Sequence, residues 1–403
     1  MGEKLEKEKN WEIIQSYFRN YYEKFSSAIF IDNISEREFC FIYRGGQVIR
    51  HISFTSLSSL RKHLEATTPL HSYASAAVYS DPSNPSMTGK GWKHAELVFD
   101  IDADHLDTPC REKHNVYVCQ SCGAILKQNM KICPNCNSEK IKEIAWICPV
   151  CLEKARKEAE KLIYSFLIPD LGVKEDEILI VFTGHRGYHV KVSSPKLVQM
   201  GSTERKELVS YLYAEGLKIT PFILNRYKNL YFLPSASEGG WRGRIAKALL
   251  ETIKSKELPN SLVHKEKELE TAITSDLPKP IPLNKRELHA LKSLIKNQVE
   301  AMKCHIDRAV TGDVNRLTRI PGSLHGKTGL RVVPLSIDEL DSFDPLFSSI
   351  AFRGNELLKV KVYHSPQLYL GGEKWGPFNN EIVELPLYVA VFLILKNVAE
   401  VAQ

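Results

Sequence analysis

The sequence predicts an α+β protein built on mixed or antiparallel sheets, with an inserted zinc-binding segment and a helical subdomain. Three observations carry that prediction. Strand-like runs cluster before residue 200 and return after Thr311, the pattern from Ser202 to about Lys303 is mostly helical, and paired cysteines crowd the stretch from Cys110 to Cys151. Segregated runs of strands and helices read as α+β rather than as alternating strand–helix units. At 403 residues the chain exceeds the usual single-domain size. Its 43% hydrophobic and 25% charged residues suit a globular protein with a sizeable core. A net charge of +6 permits a nucleic-acid partner without requiring one. The longest apolar run, Leu385 to Leu395, falls short of the ~18 residues that a bilayer span needs. Met1 to Asn10 is charged and has no apolar signal core, so a cytoplasmic protein with no membrane partner is expected.

Each element follows from local pattern. Trp11 to Phe25 is amphipathic and predicts a helix. Glu38 to Phe54 holds two strand-like runs around Arg44-Gly45-Gly46 and predicts a hairpin. Ser56 to Glu65 predicts a helix capped by Thr55 or Ser56, and Asp81 to Lys90, rich in Pro, Ser and Asn, a loop. From Glu96 to Asp104 carboxylates alternate with apolar residues, the signature of a half-buried strand. Asp100 and Asp102 then project from one face with Cβ atoms about 7 Å apart, while Leu97, Phe99 and Ile101 anchor the other. Asp104 shares the face of the pair at the strand's end. Two anions on one face repel unless a cation lies between them. Hard divalent ions bridging carboxylates and phosphates meet that need, and a solvated strand face is the plainer alternative. Further on, Leu152 to Leu167 is a Lys/Glu-rich helix, Ile178 to Phe182 a buried strand, and Leu387 to Ala399 a closing helix after Pro386.

Nine cysteines in a chain without a signal peptide argue for metal ligation over disulfides. Six form the pairs Cys119/Cys122, Cys133/Cys136 and Cys148/Cys151, each with the spacing that offers two thiolates to a tetrahedral Zn²⁺. Cys110 and His114 complete eight ligands for two zinc ions. In the nested reading, Cys119, Cys122, Cys133 and Cys136 form an inner ribbon turned by Gly123, and Cys110, His114, Cys148 and Cys151 an outer site. The sequential pairing (Cys110, His114, Cys119, Cys122; then Cys133, Cys136, Cys148, Cys151) competes with it. Either way the protein ligands saturate each metal, so the zinc is structural. Cys40 and Cys304 are isolated and read as small apolar side chains.

Two further clusters carry chemistry. In Thr183-Gly184-His185-Arg186-Gly187-Tyr188-His189 the glycines permit a tight turn and close backbone approach, and Arg186 and His189 are donors suited to phosphate oxygens. A simple hairpin with incidental basic residues is the alternative. In the second, Asp307 precedes Pro321-Gly322-Ser323-Leu324-His325-Gly326-Lys327-Thr328-Gly329, a loop whose main-chain amides, His and Lys suit a triphosphate. Its spacing is not that of a Walker A motif. Asp313, Arg316 and Arg319 between them read either as part of this cluster or as a helix face with i, i+3 pairing.

The aspartate strand and these two loops, in this order, resemble the small catalytic subunit of archaeal and eukaryotic DNA primase. The resemblance extends to Arg37-Glu38-Phe39, Arg50-His51-Ile52-Ser53-Phe54, Cys148-Pro149-Val150-Cys151-Leu152 and Leu385-Pro386-Leu387-Tyr388, and so covers nearly the whole chain. It implies a template-dependent nucleotidyltransferase that starts primers de novo on single-stranded DNA. Asp100, Asp102 and Asp307 would hold Mg²⁺ or Mn²⁺. Arg186, His189, His325 and Lys327, with Thr183, Ser323 and Arg50, would contact the nucleoside triphosphate. Thr183 stands where Ser is usual and keeps the hydroxyl; His185 occupies a position that varies between Arg and other residues. The inner ribbon looks like an insertion into the family's zinc knuckle. A large subunit is the implied partner. The expected organisation is a discontinuous primase body of residues 1–107, 153–200 and 304–403, a zinc segment of 108–152 standing off it, and a helical insert of 201–303. A metal-dependent phosphodiesterase and a non-catalytic zinc-ribbon nucleic-acid adaptor are the competing functions.

Overall fold

The alternation from Glu96 to Asp104 does produce a strand, Leu97–Asp102, with Leu97, Phe99 and Ile101 fully buried. In the computed structural model, which describes residues 2–108, 110, 114–126, 130–275 and 277–402, that strand forms one edge of a four-stranded antiparallel sheet. The sheet continues through Gly187–Val192 and Ile178–Phe182 to Val333–Leu335. A second antiparallel sheet is ordered Leu317–Arg319, His71–Ser75, Phe39–Ile42 and Val48–Ile52. The expected hairpin is its outer part: the strands Phe39–Ile42 and Val48–Ile52 are joined through Arg44–Gly46, where Gly45 takes a φ of 77°.

The chain divides into two compact units. Residues 1–159, 175–202 and 306–403 form the first. Its core packs Ile14, Phe18 and Tyr22 of the helix Gly2–Phe25 with Phe39, Phe41, Leu60, Leu64 and Val391. The helix Leu57–Thr67 starts at Ser56, whose side chain accepts from Ser59 N in a reciprocal cap. The closing helix, Leu387–Leu395, is shorter than expected; the chain then turns into the strand Ala399–Val401.

Residues 160–174 and 203–305 form the second unit. It holds the helices Ser202–Leu212, Gly240–Lys254, Glu266–Thr274 and Lys285–Met302. A small antiparallel sheet of Asn225–Tyr227, Leu230–Phe232 and Pro280–Pro282 joins them. Residues 160–174 thus group with the 203–305 stretch, and the predicted helix over 152–167 begins earlier, at Pro149. No helix among the described residues is long and apolar enough to cross a membrane.

One architectural expectation is corrected. The zinc segment does not simply stand off the body. Its return strand, Ile141–Ile144, leads into Trp146, which is fully buried and packs edge-on against Phe392 of the closing helix at 5.6 Å between ring centroids. An indole of that size buries too much apolar surface to be left in water.

Candidate active site

Strand pairing builds the first wall of the site. Asp100 and Asp102 lie on the sheet's edge strand, and its neighbour places His189 opposite Asp100 and Gly187 opposite Asp102. A Cβ on Gly187 would come within 2.2 Å of Ile101 O, so only glycine lets the two strands pair here. His189 Nε2 lies 3.6 Å from Asp100 Oδ1. Asp307, about two hundred residues on, is brought in by a main-chain bond: its N–H donates to Asp100 O at 2.8 Å. Its carboxylate caps the short helix Arg308–Gly312, accepting from Ala309 N at 2.9 Å and Val310 N at 3.3 Å.

The two basic loops form the opposite wall, and they are stitched together. Thr183 closes its turn by donating through N and Oγ1 to Gly187 O, each at 3.1 Å. Gly184 has a φ of 77° and lies so close to the second loop that a Cβ would meet His325 Cβ at 2.8 Å. Thr328 Oγ1 donates to Gly184 O at 2.6 Å, and His185 stacks on His325 at 4.9 Å. Between the walls lies a cavity of about 430 Å³. It is lined by Asp100, Asp102 and Asp104, by His189 on the strand beside Asp100, and by Thr183, His185, Arg186, Arg316, Arg319, His325, Lys327 and Lys396.

Electrostatics separate the walls further. Burial, then the neighbouring Asp102 and Asp307 carboxylates, push the Asp100 carboxyl up to about 6. Burial pushes His189 and His71 down to about 3, and His185 and His325 well below the usual range, so these imidazoles are neutral near pH 7. His325 Nδ1 accepts from Lys327 N at 3.2 Å, and His71 Nδ1 from Gly326 N at 3.3 Å. A neutral ring that accepts at Nδ1 carries its proton on Nε2, so each of these two offers one N–H donor. Arg186 forms an ion pair with Asp104, yet its Nε is buried without a hydrogen-bond partner, as is His189 Nδ1.

Not every predicted residue reaches the cavity. Asp307 sits behind Asp100 rather than in the lining. Ser323 is buried with its hydroxyl donating to Ile320 O at 2.7 Å. Arg50 pairs with the buried Glu38 at 3.1 Å and is not among the lining residues. The helix-face alternative for Asp313, Arg316 and Arg319 is overturned. The helix ends at Gly312, Arg319 belongs to the strand Leu317–Arg319, and both arginines line the cavity. Arg319 packs over the Tyr73 ring at 5.0 Å, and its Nη1 lies 3.0 Å from His71 Nδ1. Lys396 was missed outright; the only sequence signal for it is a lone cation ending a helix apolar at every position.

Away from the cavity, the nested cysteine arrangement is the one formed. Cys110, His114, Cys148 and Cys151 make one cluster and Cys119, Cys122, Cys133 and Cys136 another, each with its ligand atoms within 4.8 Å of one another. Sulfur–sulfur distances of 3.2 and 3.5 Å in the outer cluster and 3.6 Å in the inner one approach the ~3.8 Å edge of a zinc–thiolate tetrahedron. Both clusters can hold zinc, and neither leaves a ligand position open for catalysis.

Known proteins resemble this chain along its length. A family model described as DNA primase small subunit matches residues 139–337. The DNA primase small subunit PriS of Cenarchaeum symbiosum is 32% identical over 391 residues, covering 97% of this chain and 98% of that protein. Its counterpart in Pyrobaculum aerophilum is 35% identical over 393 residues, covering 96% and 99%. That of Methanococcoides burtonii is 32% identical over 378 residues, covering 87% of each.

Proposed function

The chain belongs to the DNA primase small-subunit family, and from that premise we propose a catalytic subunit that synthesises short primers de novo on single-stranded DNA for replication. The observation that carries this reading is the opposition of an anionic and a cationic wall across one cavity. The two sets neutralise each other only in part: Arg186 pairs with Asp104, yet burial and neighbouring carboxylates push Asp100 up, and Arg186 Nε stays buried without a hydrogen-bond partner. A complex of divalent cations with a polyphosphate satisfies both walls at once.

In the mechanism, Asp100, Asp102 and Asp307 would hold two Mg²⁺ or Mn²⁺ ions. Their fit rests on the carboxylate set itself, whose repulsion a hard dication removes. Bound there, the ions supply activation of a primer 3′-hydroxyl and charge neutralisation of the leaving pyrophosphate. Arg186 and Lys327 attract the triphosphate, and His325 and His189 donate as neutral imidazoles. Pre-set donors of this kind stabilise charge as it develops on the leaving group. Thr183, Ser323 and Arg50 act behind them, through the loop turns and the Glu38 pair. Residues 1–107, 153–200 and 304–403 serve as the catalytic body, 108–152 as a structural zinc module, and 201–303 as a helical insert. A large subunit completes the enzyme and helps to bind template.

One assay tests the reading: the protein, single-stranded template, labelled nucleotides and Mg²⁺ or Mn²⁺, with products resolved by length. Extended products are expected. Shortened template would mean a phosphodiesterase, and binding without product an adaptor.

A further inference from the structure

The closing helix Leu387–Leu395 ends against the cavity at Lys396, a side chain only 6% exposed. Its Nζ donates to Ala145 O at 2.8 Å and to His185 Nε2 at 3.0 Å. An ammonium has three donors, so one is left over. Both acceptors are uncharged, and among the described residues no carboxylate forms an ion pair with this lysine. The nearest charges that act on it are mostly of its own sign, Arg186 and Lys327; Asp104 opposes them but is already paired with Arg186.

A structural clamp would not need this charge. Tying the zinc segment's return strand to the helix end requires only a donor, and a buried, unpaired cation beside two others is costly. The cost shows in the group itself: burial, then Arg186 and Lys327, lower Lys396 to about 7. The Phe392 ring, 5.5 Å from Nζ, offsets part of that cost, and an anion entering the cavity would offset the rest.

We propose that Lys396 is a further phosphate-binding residue, its remaining donor contacting the triphosphate of the incoming nucleotide while its bond to His185 holds that ring in the Nδ1–H tautomer. The inference rests on the triphosphate reading of the cavity given above.

The test uses the full chain with Lys396→Met, which keeps the length and removes the charge, and Lys396→Arg, which restores it. Extension of a preformed primer–template is followed against nucleotide concentration, with inorganic tripolyphosphate as a competing probe. For Lys396→Met the nucleotide KM and the tripolyphosphate inhibition constant should both rise about tenfold or more, the loss of one charge-assisted bond. Affinity for single-stranded DNA should stay at the parent value, and the thermal midpoint should hold or rise. Lys396→Arg should recover most of the loss. Parent-like tripolyphosphate inhibition in Lys396→Met would overturn the proposal, and so would a lowered midpoint with DNA affinity lost in parallel. Arg186→Ala and Lys327→Ala separate the two levels of argument. If they weaken tripolyphosphate inhibition and Lys396→Met does not, only this inference fails; if none of the three does, the triphosphate reading fails with it.

Discussion

The two walls of the cavity are built by opposite means. The anionic wall is a sheet edge that carries Asp100 and Asp102, with Asp307 tied behind them by one main-chain bond from its N–H to Asp100 O. The cationic wall is assembled from separate pieces: the loop after Phe182, the loop before Leu330, the strand Leu317–Arg319 and the end of the closing helix. A sheet edge sets geometry tightly and leaves electrostatic strain in place. Loops and side chains adapt, so each cation there contributes separately. Substitutions should therefore be all-or-none on the first wall and graded on the second.

The largest effect is expected on the anionic wall. Asp100→Ala, Asp102→Ala and Asp307→Ala should each lower primer synthesis by about a thousandfold or more, the several kcal/mol that a catalytic metal contributes. Thermal melts without divalent metal should show an Asp100→Ala midpoint equal to the parent's or higher, because a buried, repelled anion is removed. Asp102→Ala and Asp307→Ala also lose the caps on Asp104 N and on the helix Arg308–Gly312, and should fall below Asp100→Ala. Full synthesis from Asp307→Ala would break the claim that this wall acts as one unit.

Next in size is the support behind the cationic wall. Ala145, whose carbonyl holds Lys396, lies three residues before Cys148 of the outer zinc cluster. Cys148→Ser or Cys151→Ser should lower the thermal midpoint strongly, since structural zinc contributes directly to folding. Cys119→Ser or Cys133→Ser should cost less, because the inner cluster stabilises only its own small sheet of Val116–Cys119, Ile125–Leu126 and Ile141–Ile144. Metal analysis of the parent should return about two zinc ions per chain; one or none would refute two closed sites.

Smaller again are the individual cations. Arg186→Ala and Lys327→Ala should weaken nucleotide binding by ~1.5–3 kcal/mol each, read as a raised KM, while the metal dependence of the rate stays put. Asp104→Asn should cost less than either. Asp104 is not on the strand but in the turn Ala103–His105 after it, where it pairs with Arg186.

How much of this was legible follows the same division. The aspartate strand and the Gly187 hairpin could be read because period-2 alternation and turn glycines are local signals. The nested cysteine set was one of two pairings that spacing allows, and folding chose between them. The convergence of Asp307 on Asp100 depends on one hydrogen bond across most of the chain, so only the family resemblance anticipated it. Arg316 and Arg319 were ambiguous because a spacing of three fits a helix face as well as a cavity wall. Lys396 was invisible, since a lysine after an apolar helix ordinarily reads as a solvated end interacting with the helix dipole. Trp146 was missed for a related reason: nothing local reveals that the zinc segment's return strand docks on Phe392.

The finest comparison between the walls is their response to pH in the absence of nucleotide and divalent metal. Asp100 titrates near 6 in the folded chain and near 4 when unfolded, so between these values the native state binds more protons. Stability should then fall as pH rises through that window. Lys396 behaves in the opposite sense. Its native value of about 7 lies below the usual lysine range, so the unfolded chain binds more protons from pH 7 to about 10, and stability should rise across it. The acid limb is worth at most about 3 kcal/mol and the alkaline limb at most about 5 kcal/mol, and less where water in the cavity screens the charge. Chemical denaturation across pH should show a shallow minimum between about 6 and 7. Asp100→Asn should flatten only the acid limb and Lys396→Met only the alkaline one. Mg²⁺ with tripolyphosphate should flatten both in the parent, because each wall then meets the charge it lacks. If neither substitution changes the profile, the walls do not carry the strain assigned to them.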